Sequence, residues 1–313
     1  PPAPSEHAPL SINLDLTTAC NYRCTHCIDW DILNSRFKHE EQALEDSLKE
    51  MVARGMRSVI LIGGGEPTVH PRFAHFAGLL KDLGCQIAVV SNGSRGDKLL
   101  EIAPQLDERD WIRLSLDSGS NELFKAMHNP VDKELTLDAI CEWIPKIKAA
   151  NPKPRIGFSY VITWEGAQRD EEQVHENIGE IVLAAKRAKA AGFDYISFKP
   201  FLERTPEGAE VMDPSGAKTE LGLIIDRIKA EVTAAQELAD DGFDVYVSTN
   251  LRMLETGEWK DLTKQPKVCH MQALRQVLTP TGLFNCPAHR GVEKAKLSEA
   301  GAFKDEAACA TTT

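Results

Sequence analysis

The chain has 313 residues, of which 42% are hydrophobic and 27% charged, a balance typical of folded proteins and not of disordered ones. Its formal net charge of −11 disfavours phosphate backbones, which argues against nucleic acid as a partner. No apolar run approaches the ~20 residues that cross a bilayer, and no secretory signal opens the chain. We therefore expect a cytoplasmic protein without a membrane partner, with eight reduced cysteines. The first residue is not Met, so we expect the natural start to be missing.

Strand and helix patterns alternate along most of the chain. The first helix carries an apolar stripe of Leu44, Leu48, Met51 and Val52 and ends near Gly55. Further helices are predicted at 71–84, near 97–102, at 136–150, around 178–191 and at about 219–240. The strands that precede these helices are predicted at residues 11–17, 58–64, 86–93, 111–118, 155–163 and 195–201.

Six strand–helix units in a row predict a parallel sheet with its helices outside. In a parallel barrel, functional residues gather where the strands end. Here those ends read CNYRCTHC, GGGEP, SNG, SLDS and SFKP. Beyond residue 240 a further strand, FDVYVSTN, is followed by short irregular pieces, so we predict one unit at 1–240 and a second at 241–313.

The loop after the first strand places Cys20, Cys24 and Cys27 within eight residues. Structural zinc sites and iron–sulfur clusters usually take four protein ligands, so this set leaves one position for another ligand. One interpretation is a zinc site in which His26 supplies the fourth ligand. The other is a cluster with one metal open to a ligand that reacts.

The spacing C-x3-C-x2-C, together with GGE (Gly64, Gly65, Glu66) after the second strand, resembles the signature of the radical SAM superfamily. The Gly-rich turn lacks the Lys-Ser/Thr of a phosphate loop. The resemblance implies that the cysteines hold three irons of a [4Fe–4S] cluster and that S-adenosylmethionine (SAM) chelates the fourth. It implies that Gly64 and Gly65 allow close approach of the methionine moiety of SAM. It also implies that Glu66 or nearby carbonyls accept hydrogen bonds from the ammonium group of SAM, and that His26 lies against the adenine.

Other candidate contacts lie at the remaining strand ends. The resemblance implies that Asn92, Ser115 and Asp117 contact SAM, although capping and turn formation explain such residues equally well. Lys199, in SFKP, is a candidate for binding a carboxylate or phosphate of the substrate, or is a solvated lysine at the barrel rim. Arg155 begins its strand, at the opposite end of the barrel, and is interpreted as structural.

The remaining cysteines fall into two groups. Cys85 and Cys141 lie in apolar patterns and are predicted to be small buried hydrophobes. Cys269, Cys286 and Cys309 lie in the irregular tail, which resembles the SPASM/twitch appendages of radical SAM enzymes, with a hairpin turn at Thr279–Gly282. The resemblance implies an auxiliary [4Fe–4S] cluster on these cysteines, with His270 or His289 as a possible fourth ligand. Three free thiols are the alternative.

The predicted fold class is therefore α/β, a partial (β/α)6 TIM-like barrel with a small C-terminal auxiliary-cluster domain. The resemblance implies reductive cleavage of SAM to a 5′-deoxyadenosyl radical, with electrons from a flavodoxin- or ferredoxin-type donor. The expected substrate is a small polar metabolite, such as a sugar, aminocyclitol or nucleoside, in specialised biosynthesis. Oxidation, dehydrogenation or decarboxylation is the expected reaction. Epimerisation, peptide modification, a zinc-binding module and an electron carrier remain alternatives.

Overall fold

The computed structural model describes residues 7–169, 172–204, 210–212, 217, 220–262, 269–305 and 307–308. Its strands are β1 Ser11–Leu14, β2 Ser58–Leu61, β3 Gln86–Ser91, β4 Trp111–Ser115, β5 Arg155–Ile162, β6 Gln168–Arg169, β7 Glu172–Gln173, β8 Tyr195–Pro200, β9 Glu203–Arg204, β10 Glu210–Val211, β11 Asp244–Val247, β12 Arg275–Thr279, β13 Gly282–Phe284 and β14 Lys296–Ser298. Its helices are α1 Glu41–Ala53, α2 Phe73–Asp82, α3 Gly96–Ile102, α4 Asn121–His128, α5 Leu137–Cys141, α6 Trp143–Ala150, α7 Ile181–Ala191, α8 Leu221–Gln236, α9 Thr249–Thr256 and α10 Met271–Leu274.

One ten-stranded sheet organises the chain. Its order is β11-β8-β5-β4-β3-β2-β1-β12-β13-β14, and every pair from β11 to β12 is parallel. The six predicted strands are the contiguous set β1 to β5 and β8, which confirms the parallel sheet of a partial TIM barrel. Their carboxyl ends lie along one edge, because neighbouring strands in this set all run in the same direction.

The tail extends this sheet at both edges. Strand β11 pairs with β8, and β12 pairs with β1. The predicted hairpin is confirmed: β12 and β13 are antiparallel, with Thr279 opposite Gly282 at a φ of 146° that favours glycine. The division at residue 240 stays a prediction, and the tail strands show that any such second unit shares the barrel's sheet.

Most predicted helices are present, with two differences. The single helix predicted over 136–150 is two helices, α5 and α6, because Pro145 has no N–H for the carbonyl of Cys141 and its ring clashes there. Helix α4 was not predicted. It begins after the N-cap Ser120 and ends at Asn129, whose φ is 41°.

The two faces of the sheet differ in chemistry. Apolar residues at alternate positions of each strand pack against the helices in one core, for example Ile112, Leu114, Phe158, Ile196 and Phe198. The residues between them face the barrel interior and are largely polar; they include Asn13, Asp15, Arg113, Ser115, Ser159, Ser197 and Lys199. This division separates the stabilising core from a hydrophilic interior.

Three smaller expectations can be compared with the structure. Cys85 and Cys141 are buried in the core, as predicted. Arg155 donates to Asp244 and Tyr246 at the amino ends of the strands, which confirms its structural role. Among the described helices, none is long and apolar enough to cross a membrane.

The packing of α3 on α6 is testable at Gly96. A Cβ at this residue would lie 2.1 Å from the Trp143 ring, so Gly96→Ala should lower the free energy of unfolding by about 1–3 kcal/mol. Gly222→Ala in α8 is the matched control, because the nearest atom to its Cβ is 4.0 Å away and alanine favours the helix. Urea unfolding of both variants measures the difference; equal stabilities would contradict this packing.

Candidate active site

Hydrogen bonds fix the cysteine loop around Cys20. The Cys20 amide donates to Asn34 Oδ1 at 3.1 Å, and the Tyr22 amide donates to Cys20 Sγ at 3.4 Å. The Arg23 guanidinium donates to the Cys20 carbonyl at 2.8 Å. A loop that lacks regular structure is therefore held in one conformation by polar contacts on both sides of its first thiol.

Helix α4 supports the rest of the loop. The Thr25 amide donates to the Met127 carbonyl at 2.8 Å, and the Arg23 amide donates to the His128 carbonyl at 3.1 Å. These carbonyls belong to the last turn of the helix, where backbone acceptors have no partner within the helix. The carboxyl end of α4 therefore provides the acceptors that position the cysteine loop.

His128 is a site residue that the sequence analysis missed. Its side chain is buried, its Nε2 lies 2.9 Å from the Leu116 carbonyl, and its Nδ1 lies 3.2 Å from Cys24 Sγ. The signal available in the sequence was the N-cap Ser120 followed by Phe124 and Met127 at helical spacing, which ends at this histidine.

The three thiols are buried close together and form a donor set that favours binding of a metal. Burial raises the pKa of Cys20, and it raises that of Cys24 well above its ordinary value, assisted by the nearby Cys27 and Cys20. Burial and the charge of Asp29 raise the pKa of Cys27 to about 12. Three adjacent thiolates need a strongly positive partner, and an iron–sulfur cluster provides one. The donor chemistry therefore fits the cluster that the motif implies.

The Gly-rich turn packs directly on the cysteine loop. A Cβ at Gly65 would lie 2.3 Å from the Ala19 carbonyl oxygen, and one at Gly64 would lie 2.8 Å from Asp15 Oδ2. The Glu66 amide also donates to the Ala19 carbonyl, at 2.8 Å. These contacts within the chain already require glycine, in addition to the access for a methionine moiety that we predicted.

The Glu66 carboxylate is buried and ties two strand ends together. It accepts hydrogen bonds from the Thr68 amide and hydroxyl, from the Ser91 hydroxyl and from the Asn92 amide, at 2.6–3.0 Å. Burial raises its pKa, and these donors act in the opposite direction. Oε1 accepts three of the four bonds, so Oε2 is the oxygen with room for a further donor such as an ammonium.

The other predicted SAM contacts divide between two positions. Asn92 adjoins the cysteine loop, since its side-chain amide donates to Asn21 Oδ1 at 2.9 Å and its carbonyl accepts from Tyr22. Ser115 lies on the interior face of β4, opposite Ser159 in register, and Lys199 is half-buried on β8, opposite Val161. The role of each in binding stays a prediction.

Asp117 and His26 form a buried polar pair beside the cysteines. Asp117 has a left-handed backbone with φ 48°, accepts from the Val161 amide, and lies 3.0 Å from His26 Nε2. Burial raises its pKa, but the His26 contact and the nearby His128 reverse the direction and lower it. His26 Nδ1 is buried and has no hydrogen-bond partner among the described residues, so it is available to a ligand.

The tail closes over the same loops through Arg290. Its guanidinium lies 3.0 Å from both oxygens of Asp29 and 2.8 Å from Asp15 Oδ2. Asp29 also accepts from the Gly64 amide at 3.3 Å. A buried arginine from the tail therefore connects the cysteine loop, the first strand end and the glycine turn.

The tail cysteines differ in exposure. Cys269 is exposed, Cys286 is half-buried, and Cys309 lies outside the described residues. Cys269 precedes β12 and Cys286 follows β13, so the hairpin returns the chain from one cysteine toward the other. The auxiliary site stays a prediction.

The sequence of this chain is similar to those of known proteins. Residues 14–166 match the sequence model of the family described as the Radical SAM superfamily. A nucleotide dehydratase dependent on S-adenosylmethionine from Selenomonas ruminantium is 29% identical over 167 residues, which cover 51% of this chain and 58% of that protein. One from Thermoplasmatales archaeon (strain ISO4-H5) is 33% identical over 110 residues, covering 34% and 38%. The match thus spans 58% of the length of the first relative and 38% of the length of the second.

Two solved structures share the fold over almost the whole chain. Streptococcus suis SuiB has a TM-score of 0.69 at 15% identity, covering 98% of this chain and 66% of that one. The protein anSMEcpe with bound AdoMet has a TM-score of 0.64 at 16% identity, covering 97% and 81%. At these identities the likeness concerns the fold alone.

The structural role of Glu66 is testable without any cofactor. In Glu66→Gln, an amide N–H would face donors that a carboxylate accepts, so the cluster-free chain should lose about 2 kcal/mol of unfolding free energy. Glu134→Gln, at an exposed position, is the control. Chemical denaturation under anaerobic conditions provides the measurement. If the two variants unfold alike, Glu66 does not tie the strand ends together.

Proposed function

The chain belongs to the radical SAM superfamily, and from this we propose that it cleaves SAM reductively to abstract a hydrogen atom from a small polar metabolite. The observation that carries the proposal is a convergence at one edge of the sheet. The cysteine loop, the glycine turn with Glu66, and Asn92 contact one another directly there. A zinc site with His26 as a ligand needs none of these contacts between the cysteine loop, the glycine turn and Asn92.

The chain's own residues prepare this chemistry. Cys20, Cys24 and Cys27 would hold a [4Fe–4S] cluster, which with bound SAM supplies the electron transfer and the radical that attacks an unreactive C–H bond. Glu66 Oε2 and nearby carbonyl oxygens would accept hydrogen bonds from the ammonium group of SAM. His26, held by Asp117, would lie against the adenine. Burial of these groups excludes water from the reacting atoms.

For the substrate we propose a nucleotide or a related sugar-bearing metabolite. The relatives from Selenomonas ruminantium and Thermoplasmatales are named as nucleotide dehydratases, which supports loss of water as the reaction. Oxidation, which we predicted from the tail, is the competing outcome. The mass of the product distinguishes the two reactions, because dehydration removes one water molecule from the substrate and oxidation removes two hydrogen atoms. A flavodoxin- or ferredoxin-type protein is the proposed electron donor.

We also propose an auxiliary [4Fe–4S] cluster in the tail. The hairpin brings the segments that carry Cys269 and Cys286 to the same end of β12 and β13. His289 lies in the short turn directly after Cys286, and its amide donates to the Cys286 carbonyl at 3.0 Å. The proposed ligands are thus Cys269, Cys286 and Cys309, with a histidine or the substrate at the fourth position.

Replacing a motif cysteine tests the main proposal. Cys24→Ala should lose the iron of one cluster and form no 5′-deoxyadenosine after reduction with dithionite in the presence of SAM, because a ligand of the redox centre is absent. Cys141→Ala, a buried cysteine on α5, is the control and should keep both. Iron analysis and chromatography give the two measurements. Undiminished 5′-deoxyadenosine in Cys24→Ala would overturn the proposal.

The auxiliary cluster has its own test. The double variant Cys269→Ala, Cys286→Ala should contain about half of the iron of the wild type, since one of two clusters loses its ligands. Its formation of 5′-deoxyadenosine should persist, because the cysteine loop is unchanged. The same double replacement at Cys85 and Cys141 is the control. Equal iron in all three proteins would remove the auxiliary cluster.

A further inference from the structure

Arg113 lies in the barrel interior without an acidic partner. Its neighbours on β4, Ile112 and Leu114, are fully buried on the core face, so the alternation of the strand places Arg113 on the interior face. Within the described ranges it forms no hydrogen bond or ion pair; its Cζ lies 5.4 Å from the centre of the Trp111 ring. Its Nε is buried and unpartnered.

Such an arginine is costly in a folded chain. Moving a guanidinium out of water is unfavourable unless a counter-charge or hydrogen-bond acceptors replace the water. Burial lowers the pKa of Arg113, with the charges of Tyr195 and Asp117 opposing this. Asp117 is already engaged by His26 and the Val161 amide. Arg113 is thus half-buried, and its Nε has no acceptor among the described residues.

Hydroxyl groups lie next to Arg113 on the same face. The register places Ser115, Ser159 and Ser197 side by side on β4, β5 and β8, two residues further along the strands than Arg113. Ser159 is completely buried, and its Oγ has no hydrogen-bond partner among the residues that the structure describes. A guanidinium and an unpartnered hydroxyl are donors that suit a phosphate group.

A second arginine, Arg275, lies at the amino end of β12, beside the amino end of β1. Arg275 lines a cavity of about 80 Å³ together with Trp111, and its Nε is buried without a hydrogen-bond partner among the described residues. At the same end of the sheet, the rings of Tyr195 and Tyr246 lie with their centres 5.3 Å apart. In a chain of net charge −11, Arg113 and Arg275 are thus two positive groups on the interior face of the sheet.

We propose that the barrel interior binds a phosphate group of the substrate, with Arg113 as its main ligand and Ser159 as a hydrogen-bond donor. The inference rests on the proposed function and narrows its substrate to a phosphate-bearing metabolite. Arg113 precedes Asp117 by four residues, and Ser115, the last residue of β4, lies between them. Asp117 contacts His26 beside the cysteines, so the phosphate would lie well below the groups that hold SAM.

Inorganic pyrophosphate is the probe, titrated calorimetrically into the full chain. The wild type should bind it with a Kd below about 1 mM, and Arg113→Gln should bind it at least about 30-fold more weakly. Arg113→Lys keeps the charge without the planar fork and should fall between them. Arg109→Gln, which removes a surface arginine paired with Asp107, should bind like the wild type. Absence of binding by the wild type, or equal binding by Arg113→Gln, would overturn the proposal.

Ser159→Ala separates binding from folding. Because the Ser159 hydroxyl has no partner, its removal should leave the thermal unfolding temperature unchanged or higher. The affinity for pyrophosphate should nevertheless fall about 3- to 10-fold. If Ser159→Ala binds pyrophosphate as tightly as the wild type, Ser159 is not part of the site. If both Ser159→Ala and Arg113→Gln bind it as tightly as the wild type, the proposed site does not exist.

A competition experiment tests whether Arg113 binds the carboxylate of SAM and not a phosphate of the substrate. In the chain reconstituted with iron and sulfide, saturating SAM should leave pyrophosphate affinity unchanged; displacement would assign Arg113 to the SAM carboxylate and overturn the proposal. Failure of the proposed function is visible separately. A wild type that holds no cluster and forms no 5′-deoxyadenosine would refute that function, whereas pyrophosphate binding is measurable on the cluster-free chain.

Discussion

The site depends on a close backbone contact between two loops that follow neighbouring parallel strands. The Glu66 amide donates to the Ala19 carbonyl, one residue before the first motif cysteine, and Gly65 leaves no space there for a side chain. Parallel pairing of β1 with β2 brings these loops to one edge of the sheet. Because the contact joins the cysteine loop to the glycine turn, it also determines where a cofactor bound between them would lie.

Much of the remaining polar chemistry stabilises this contact. The Glu66 carboxylate binds the end of β3, and Arg290 joins Asp29 and Asp15 above the turn. Buried ion pairs of this kind are weak evidence for stability, yet removal of one partner is costly because the other charge stays buried. The tail is therefore part of the site, since it supplies the cation for two buried carboxylates.

The two ends of the barrel interior have opposite electrostatic character. Near the cysteines, Asp117, Asp15 and Glu66 are each engaged by donors from the chain. Deeper in the interior, the Nε atoms of Arg113 and Arg275 are buried and have no acceptor in the part of the chain that the structure describes. In the proposals made above, the radical would form at the upper end and the anionic group of the substrate would be held below, which would orient the C–H bond between them.

Local patterns in the sequence determined the strands, most helices, the cysteine motif and the hairpin at Gly282, because side-chain periodicity and turn chemistry act over a few residues. Pro145 divides a helix that periodicity alone joined, and α4 was too short for its pattern to stand out. Only the tertiary structure decided that His128 contacts Cys24, that Arg290 reaches Asp29, and that Arg113 Nε has no acceptor among the residues described. These contacts join residues distant in sequence, and they depend on sheet register and loop conformation, which no local pattern specifies.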